Sequence, residues 1–553
     1  MLLDTNLIIG NQSIRLHSND TRLKLIIQDL FNHLTYFEMV ANPISKRYER
    51  KPSMYFYIYK EKEGYFDFIF SKNNLNDFLY YIKMSKINYK DSFKVMARVY
   101  KENGVKIPMR GNYTPRDNQK YYIDNIVKSK DIHNMLIDLQ PGFGKTLIGY
   151  FSVVDLRTRP AVLIKPSFLK KWVADIKKYS PLEDSEIYII KGSDSLRELF
   201  AMNKQDRNNI KAYIISTRTI TNYFESFYTE EFNYAVSPYD FMDFCGIQNI
   251  LNDESHKEFE AVFKIIMWMD PQRIIGMSAT MDSDKKNMNY FYNLLYPRAH
   301  RLESLFGIHK YAKLLFYTFS LNNGLFIPHK GMMGYNHIKY EQNLMKNTRL
   351  LQDYLEMLKD IADEYYYRRK KEGQKLLLLF STIDMATLIY SAFTKHYNDL
   401  VIKRYVEKDS YDDMLNGDVV ISTNGSMGTG IDVPGLITTI QTVPISDKQL
   451  NIQALGRLRE IEGTDVIYIS LYCSTLKAHR DNQIKRTKIL KDRVINISYA
   501  KYKNLLGDVG AINENRNKTY KEFSKGFKPG NFKKYPNYSS YGKGKKSFRP
   551  FGK

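Results

Sequence analysis

Cysteine is nearly absent. Cys245 and Cys473 are the two in 553 residues, which excludes a disulfide framework and a cysteine-built zinc site and fits a reducing compartment. Long apolar runs are missing too: no stretch approaches the roughly 20 consecutive apolar residues of a membrane span. The opening MLLDTNLIIGNQS lacks the basic region and cleavage-like site of a secretory leader. Acids are scarce relative to bases, with 60 Asp and Glu against 83 Lys and Arg and a net charge of +23. These shortages together lead us to expect a cytoplasmic chain with no membrane partner. The excess charge points to a polyanion, nucleic acid foremost, because no amphipathic basic helix argues for a lipid surface. What is plentiful is apolar material, 43% of residues, enough for two to four cores at this length.

Two short segments carry chemistry. The apolar run Met135 to Leu139 reads as a buried strand and leads into Gln140-Pro141-Gly142-Phe143-Gly144-Lys145-Thr146, after which Leu147-Ile148-Gly149-Tyr150 reads as a helix opening. Strand, glycine loop, Lys-Thr and helix is the context in which backbone N–H groups curl around phosphate oxygens. Lys145 then reaches the β and γ phosphates and Thr146 ligates Mg²⁺. Leu139 stands where the general pattern has its first glycine.

The second segment, Asn252-Asp253-Glu254-Ser255-His256, ends another short apolar strand, Ile247 to Leu251, in two adjacent carboxylates. Surface acids rarely terminate a buried strand. Asp253 is expected to hold the Mg²⁺ shell and Glu254 to polarise the attacking water of a nucleoside triphosphatase.

Around these segments the pattern alternates strand and helix, which predicts an α/β fold of two tandem parallel-sheet domains. The first domain, 113–300, has strands at Met135–Leu139, Ala161–Ile164, Ala212–Ile215, Ile247–Leu251 and Arg273–Met277. A polar, helix-rich connection from Tyr340 to Lys371 precedes a second set at Leu376–Phe380, Asp418–Ile421, Thr438–Ile440 and Val466–Ile469, in a domain over 301–480. Residues 1–105 predict a small α+β accessory domain. It has helices at Leu23–Leu34 and Leu75–Met84, and an aromatic hairpin of Met54–Tyr59 and Tyr65–Phe70 that can serve as core or as a base-stacking surface. A helical extension is expected over 481–510. Residues 511–553, basic and aromatic with almost no aliphatics, predict a disordered tail suited to non-specific binding of single strands.

The second domain carries its own glycine loop, Ser422 to Asp432, which can bring backbone N–H groups to an anion. It also carries Gln453-Ala454-Leu455-Gly456-Arg457-Leu458-Arg459, whose arginines can neutralise charge on a γ-phosphate across a domain boundary.

In order and spacing these pieces resemble a superfamily 2 helicase core of the DExH type over residues 113–475, most similar to phage UvsW-type and poxvirus transcript-release helicases. QPGFGKT stands as motif I, DESH as II, Met277-Ser278-Ala279-Thr280 as III, GTGID at Gly428 to Asp432 as V and QALGRLR as VI. The resemblance implies tandem RecA-like domains, adenine recognition by Gln119, and nucleotide contacts at Gly430 and Asp432. It also implies contacts to a nucleic-acid backbone at Pro166, Ser167, Ser216, Thr217, Ser381, Thr382, Gly428 and Thr429. Motif VI in that family reads QxxGRxxR. Here the last position is Glu460 and the nearby arginine, Arg459, falls one residue early, so Arg457 is the expected arginine finger. His256 and Gln453 are expected to couple the two halves of the site.

The reading is a monomeric motor that uses ATP and Mg²⁺ to move along DNA and to unwind or remodel it, branched or recombination intermediates included. Its alternatives are an RNA helicase or transcript-release factor, a duplex translocase or annealing motor, and a non-enzymatic basic nucleic-acid-binding protein.

Overall fold

The computed structural model describes residues 5–42, 47–62, 64–86, 93–100, 104–129, 131–229, 234–255, 258–278, 281, 286–305, 307–331, 334–407, 409–427 and 433–507. The expected tail over 511–553 lies outside them.

The N-terminal unit contributes β1 (Asn6–Ile9), β2 (Ser13–Ser18), β3 (Thr35–Ala41), β4 (Tyr48–Tyr55), β5 (Tyr57–Lys62), β6 (Tyr65–Ser71) and β7 (Lys94–Ala97). Five of these form one sheet in the order β5-β6-β2-β1-β7, while β3 and β4 pair only with each other. The expected hairpin is β5 with β6, in register Tyr57↔Phe70 to Lys62↔Tyr65. Met54 and Tyr55 do not belong to it. Phe56 is buried against Phe291 (ring centroids 5.1 Å apart) and breaks the run, sending Met54 and Tyr55 into β4. Six of the unit's aromatics are core, with Phe56, Phe66, Phe68, Phe70, Phe78 and Phe93 sharing one apolar cluster with Phe263 and Phe291 of the next domain.

One buried carboxylate of the first domain gathers several bonds from that unit. Asp270 accepts the backbone N–H groups of Gln12 (2.8 Å) and Ser13 (3.0 Å) and the Tyr100 hydroxyl (2.8 Å). Burial pushes the Asp270 carboxyl up, while the nearby Arg98 guanidinium and these donors hold its charge. A Cβ on Gly10 would stand 1.7 Å from Asp270 Oδ2, so glycine is required there by close approach of the chains.

The first domain is a seven-stranded sheet of β8 (Asn134–Asp138), β9 (Pro160–Ile164), β10 (Ile187–Ile190), β11 (Ala212–Ser216), β12 (Asn249–Asp253), β13 (Arg273–Ser278) and β14 (Arg301–Glu303). Its order is β10-β11-β9-β12-β13-β8-β14 and every pairing is parallel. Central strands such as PAVLI and AYIIS are buried on both faces, which is why they read as continuous apolar runs.

The second domain repeats the design. Its strands are β15 (Ala312–Leu321), a short hairpin of β16 (Lys330–Gly331) and β17 (Gly334–Tyr335), then β18 (Lys375–Phe380), β19 (Ile402–Tyr405), β20 (Val419–Thr423), β21 (Leu436–Gln441), β22 (Val466–Cys473) and β23 (Ile497–Leu506). The large sheet runs β19-β20-β18-β21-β22-β15-β23, again all parallel. The connection read as helical is two helices, His337–Lys346 and Thr348–Ala362, continued by one π-turn over Asp363–Tyr367. The expected helical extension over 481–510 is corrected: a helix covers Lys477–Leu490, but Ile497–Leu506 is the edge strand β23 beside β15.

Candidate functional site

Parallel sheets present ligand loops at the carboxyl ends of their strands, and the sequence motifs of the first domain fall there. The loop after β8 opens the helix Lys145–Asp155 through two residues in the left-handed region, Gly142 (φ +84°) and Gly144 (φ +91°). That backbone suits glycine. Gly144 is doubly constrained, because a Cβ there would sit 2.4 Å from Gln119 Nε2. Gln119 itself is buried in the first turn of the helix Asp117–Lys128, where its Oε1 accepts from Arg116 N (3.0 Å) and its Nε2 donates to Phe143 O (2.9 Å). The residue expected to read adenine is therefore tied directly to the phosphate loop.

Lys145 Nζ donates to the carbonyls of Leu139 (2.9 Å) and Gln140 (3.3 Å). Burial pushes its ammonium down, Glu254, Asp253 and Asp138 support its charge, and Arg459 opposes it. Asp138, which the sequence reading passed over, is pushed up to about 6, chiefly by burial and despite Arg301, Lys145 and Arg493.

The carboxylates stand two strands away. Asp253 ends β12 and accepts from Trp172 Nε1 (3.1 Å) and from Glu254 N (2.9 Å). Glu254 follows in the left-handed region at φ +52°, a strained backbone for a non-glycine residue. Ser255 fixes this turn to the neighbouring strand. Its hydroxyl donates to Asn252 O (2.7 Å) and accepts from Met277 N (3.1 Å), and its own N–H donates to Met277 O (3.1 Å). Asn252, standing where an aliphatic residue is usual, donates to Leu163 O (3.2 Å) and so ties β12 to β9.

The second domain closes on the phosphate loop at three consecutive residues. Gln140 Oε1 accepts from His309 N (3.2 Å). Pro141 packs so closely on Gly456 that a Cβ there would lie 2.4 Å from the proline ring, and the Arg459 guanidinium carbon lies 3.7 Å from where a Cβ on Gly142 would stand. Arg457 was the expected arginine finger, and the arginine beside Gly142 is Arg459. The helix Lys448–Leu455 ends before the arginines, and tight turns follow, with Arg457 N donating to Ala454 O (3.4 Å) and Leu458 N to Leu455 O (3.2 Å). Leu458 is fully buried and anchors the turn. Arg457 is buried within electrostatic reach of Tyr405, whereas Arg459 is half-exposed at the loop. Gln453 lies half-buried on the same helix.

Of the residues expected to grip a nucleic-acid backbone, those described sit at the same strand ends, and the hydroxyls of Ser216, Thr217 and Thr382 are engaged. Pro166 and Ser167 form a single 3₁₀ turn after β9. Ser216 and Thr217 close β11; Ser216 Oγ accepts from Thr219 N (3.3 Å), and Thr217 Oγ1 donates to Glu258 Oε2 (3.0 Å). Glu258 also lies 3.8 Å from Lys165 and is itself left-handed at φ +47°, so this carboxylate, absent from the sequence reading, links the β9 and β11 loops to the start of the helix after Glu254. In the second domain the buried Glu341 accepts from Ser381 N (2.8 Å), Thr382 N (2.7 Å) and Thr382 Oγ1 (2.8 Å), and burial pushes its carboxyl up to about 7. His256, Ala279, Thr280, Gly428, Thr429, Gly430 and Asp432 lie outside the described residues.

A nucleoside triphosphate fits this geometry. Lys145 and Arg459 present two cations from opposite sides of one glycine loop, and a phosphate chain between them would replace their mutual repulsion with attraction.

Residues 112–283 match the family model described as the res subunit of type III restriction enzyme. No curated protein is matched by sequence. Among solved structures the chain is similar to the Pyrococcus furiosus Hef helicase domain, at 15% identity over 67% of this chain and 98% of that one, with a TM-score of 0.41. It is similar to the Mycobacterium smegmatis helicase Lhr bound to single-stranded DNA and AMP-PNP, at 14% identity over 68% and 48% of the two chains, with a TM-score of 0.45. It is also similar to S. cerevisiae Dbp5 bound to RNA and ADP BeF3, at 13% identity over 75% and 94%, with a TM-score of 0.46. The two seven-stranded parallel sheets follow one another in tandem behind a small N-terminal sheet.

Proposed function

We propose that this chain is an ATP-hydrolysing nucleic-acid helicase that couples hydrolysis to movement along DNA and to its unwinding or remodelling. The observation that carries the reading is the closure of Gly456 on Pro141, of Arg459 on Gly142 and of His309 on Gln140, which builds one site from two domains. Lys145 and the N–H groups of the Gly142–Thr146 turn bind the phosphates, Glu254 takes the proton of the attacking water, and Arg459 neutralises charge on the γ-phosphate. Thr146 and Asp253 would hold Mg²⁺, which supplies charge neutralisation at the β and γ oxygens.

Loss of the γ-phosphate removes the anion that the two domains share, and the cleft opens. Backbone-gripping loops stand on both domains, at Pro166, Ser167, Ser216 and Thr217 on one and at Ser381 and Thr382 on the other. Opening and closing therefore shifts the grip along a strand. The Thr217 contact gives this step a definite form: a backbone phosphate at Thr217 competes with the Glu258 carboxylate, which lies four residues after Glu254 in sequence.

The test is steady-state ATP hydrolysis with single-stranded, duplex and branched DNA and RNA at one defined salt near physiological strength, because a net charge of +23 makes low-salt binding indiscriminate. The expected result is severalfold stimulation by DNA. Stronger stimulation by RNA would reassign the substrate, and no stimulation by any nucleic acid would reject the motor.

A further inference from the structure

The ribbon β3–β4 stands apart from both larger sheets of its half of the molecule, and its two faces differ in kind. In the pairing Phe37↔Pro52, Met39↔Arg50, Ala41↔Tyr48, one face carries Phe37, Met39, Tyr48, Arg50 and Pro52. Arg50 lies 4.0 Å over the Phe37 ring, which confirms that these side chains share a face. The other face carries Glu38, Val40, Glu49 and Lys51, and it balances its own charge, with Lys51 3.4 Å from Glu49. The first face holds no acid. It is also open: Tyr48 is 70% exposed and Met39 61%. A two-stranded ribbon is marginal by itself in water, and a contiguous open apolar face marks an interaction site.

The position of the ribbon narrows the partner. Its root is fixed by Phe56 against Tyr290 (5.0 Å) and by Met54 Sδ 3.8 Å from Asn287 Nδ2. Asn287 is in the first turn of the helix Lys286–Leu295, which follows β13 from its carboxyl end, the same end at which β9 and β11 deliver Pro166, Ser167 and Thr217. β5 leaves Phe56 in the other direction, so that Lys62 Nζ reaches Phe227 O near the far end of the helix Thr217–Thr229. The ribbon is thus the part of the N-terminal unit that stands at the proposed nucleic-acid edge.

We infer that the Phe37–Met39–Tyr48–Arg50 face is a stacking surface for unpaired bases of the strand held at that edge. Rings, a thioether and a guanidinium without an acid suit the π-faces of bases and the phosphates between them, and stacking of this kind needs no particular sequence. Exposed Arg47 adjoins Tyr48 at the end of the same ribbon. The inference rests on the nucleic-acid reading above and goes further by assigning a single-strand contact outside the two parallel-sheet domains.

The experiment is fluorescence anisotropy of a labelled single-stranded oligonucleotide on the full chain without nucleotide, with Tyr48→Ser, Met39→Ser combined with Arg50→Ser, and Tyr48→Phe. Each serine variant should weaken binding about tenfold, while Tyr48→Phe, which keeps the ring, stays within about twofold of the parent. Basal ATP hydrolysis should be unchanged in all, and duplex affinity should move less than single-strand affinity. Parent-like affinity in the serine variants overturns the inference, and so does an equal loss in Tyr48→Phe. If Tyr48→Ser instead dissociates a dimer seen by light scattering, the face belongs to a second copy and the inference is overturned. A parent chain that binds no oligonucleotide rejects the functional reading itself, whereas a binding parent with indifferent ribbon variants rejects the stacking surface alone.

Discussion

Glu254→Gln should leave a protein that binds ATP and hydrolyses it about 10²- to 10⁴-fold more slowly, the span of a lost general base. The substitution keeps the shape of the side chain and leaves the turn intact, because Asp253, Ser255 and Met277 hold that turn through groups other than the Glu254 carboxylate. Lys145, Gly142 and Gly144 are untouched, so affinity for a fluorescent ATP analogue should change little while kcat collapses. Removing the carboxylate also withdraws one of three anions that support the Lys145 charge. Asp253 and Asp138 remain as its other two supporting anions. Parent-like kcat in the purified variant would remove Glu254 from the chemistry.

Arg459→Ala should cost about 10³-fold or more in kcat, the scale on which an arginine acts at a transferring phosphoryl group. Arg457→Ala should behave differently. That side chain is buried within electrostatic reach of Tyr405, and its loss leaves a cavity and strands its neighbours, so thermal unfolding should shift downward. Arg459 is half-exposed against the loop, and its loss should leave the unfolding temperature nearly unchanged. Arg459→Lys keeps a charge without the planar fork and should recover only part of the rate. Measuring kcat and unfolding temperature for all three variants separates the roles. A catalytic collapse in Arg457→Ala with parent-like turnover in Arg459→Ala would restore the assignment read from the motif spacing.

The two arginines show where the sequence stops being legible. The phosphate loop, the Asp253–Glu254 pair and central strands such as β8, β9 and β12 were legible because buried parallel strands are continuous apolar runs and because glycine and lysine at fixed spacing have few other uses, whereas β15, also interior to its sheet, was passed over. The edge strands were not legible. β19 is Ile-Lys-Arg-Tyr, β14 is Arg-Leu-Glu, and β23 carries lysines at 501 and 503, since one side of each edge meets water. β4, Tyr-Glu-Arg-Lys-Pro-Ser-Met-Tyr, has no apolar period at all and emerged only with its partner β3. Arg459 was illegible for another reason: the helix ends at Leu455, so the arginines lie on a turn whose direction is decided by burial of Leu458 and by Pro141 from the other domain. Glu258 and Glu341 were passed over because their partners, Thr217 and Thr382, lie about forty residues away in sequence and meet them only in the fold.

The central claim is that one ATP site, assembled from two domains around Lys145, drives a motor that answers to nucleic acid. The most direct test is steady-state ATP hydrolysis by the parent chain and by Lys145→Ala, each with and without a saturating single-stranded DNA oligonucleotide at the same salt. The account predicts stimulated turnover in the parent, none above background in Lys145→Ala under either condition, and equal oligonucleotide affinity in the two proteins. DNA-stimulated turnover retained by Lys145→Ala would contradict it.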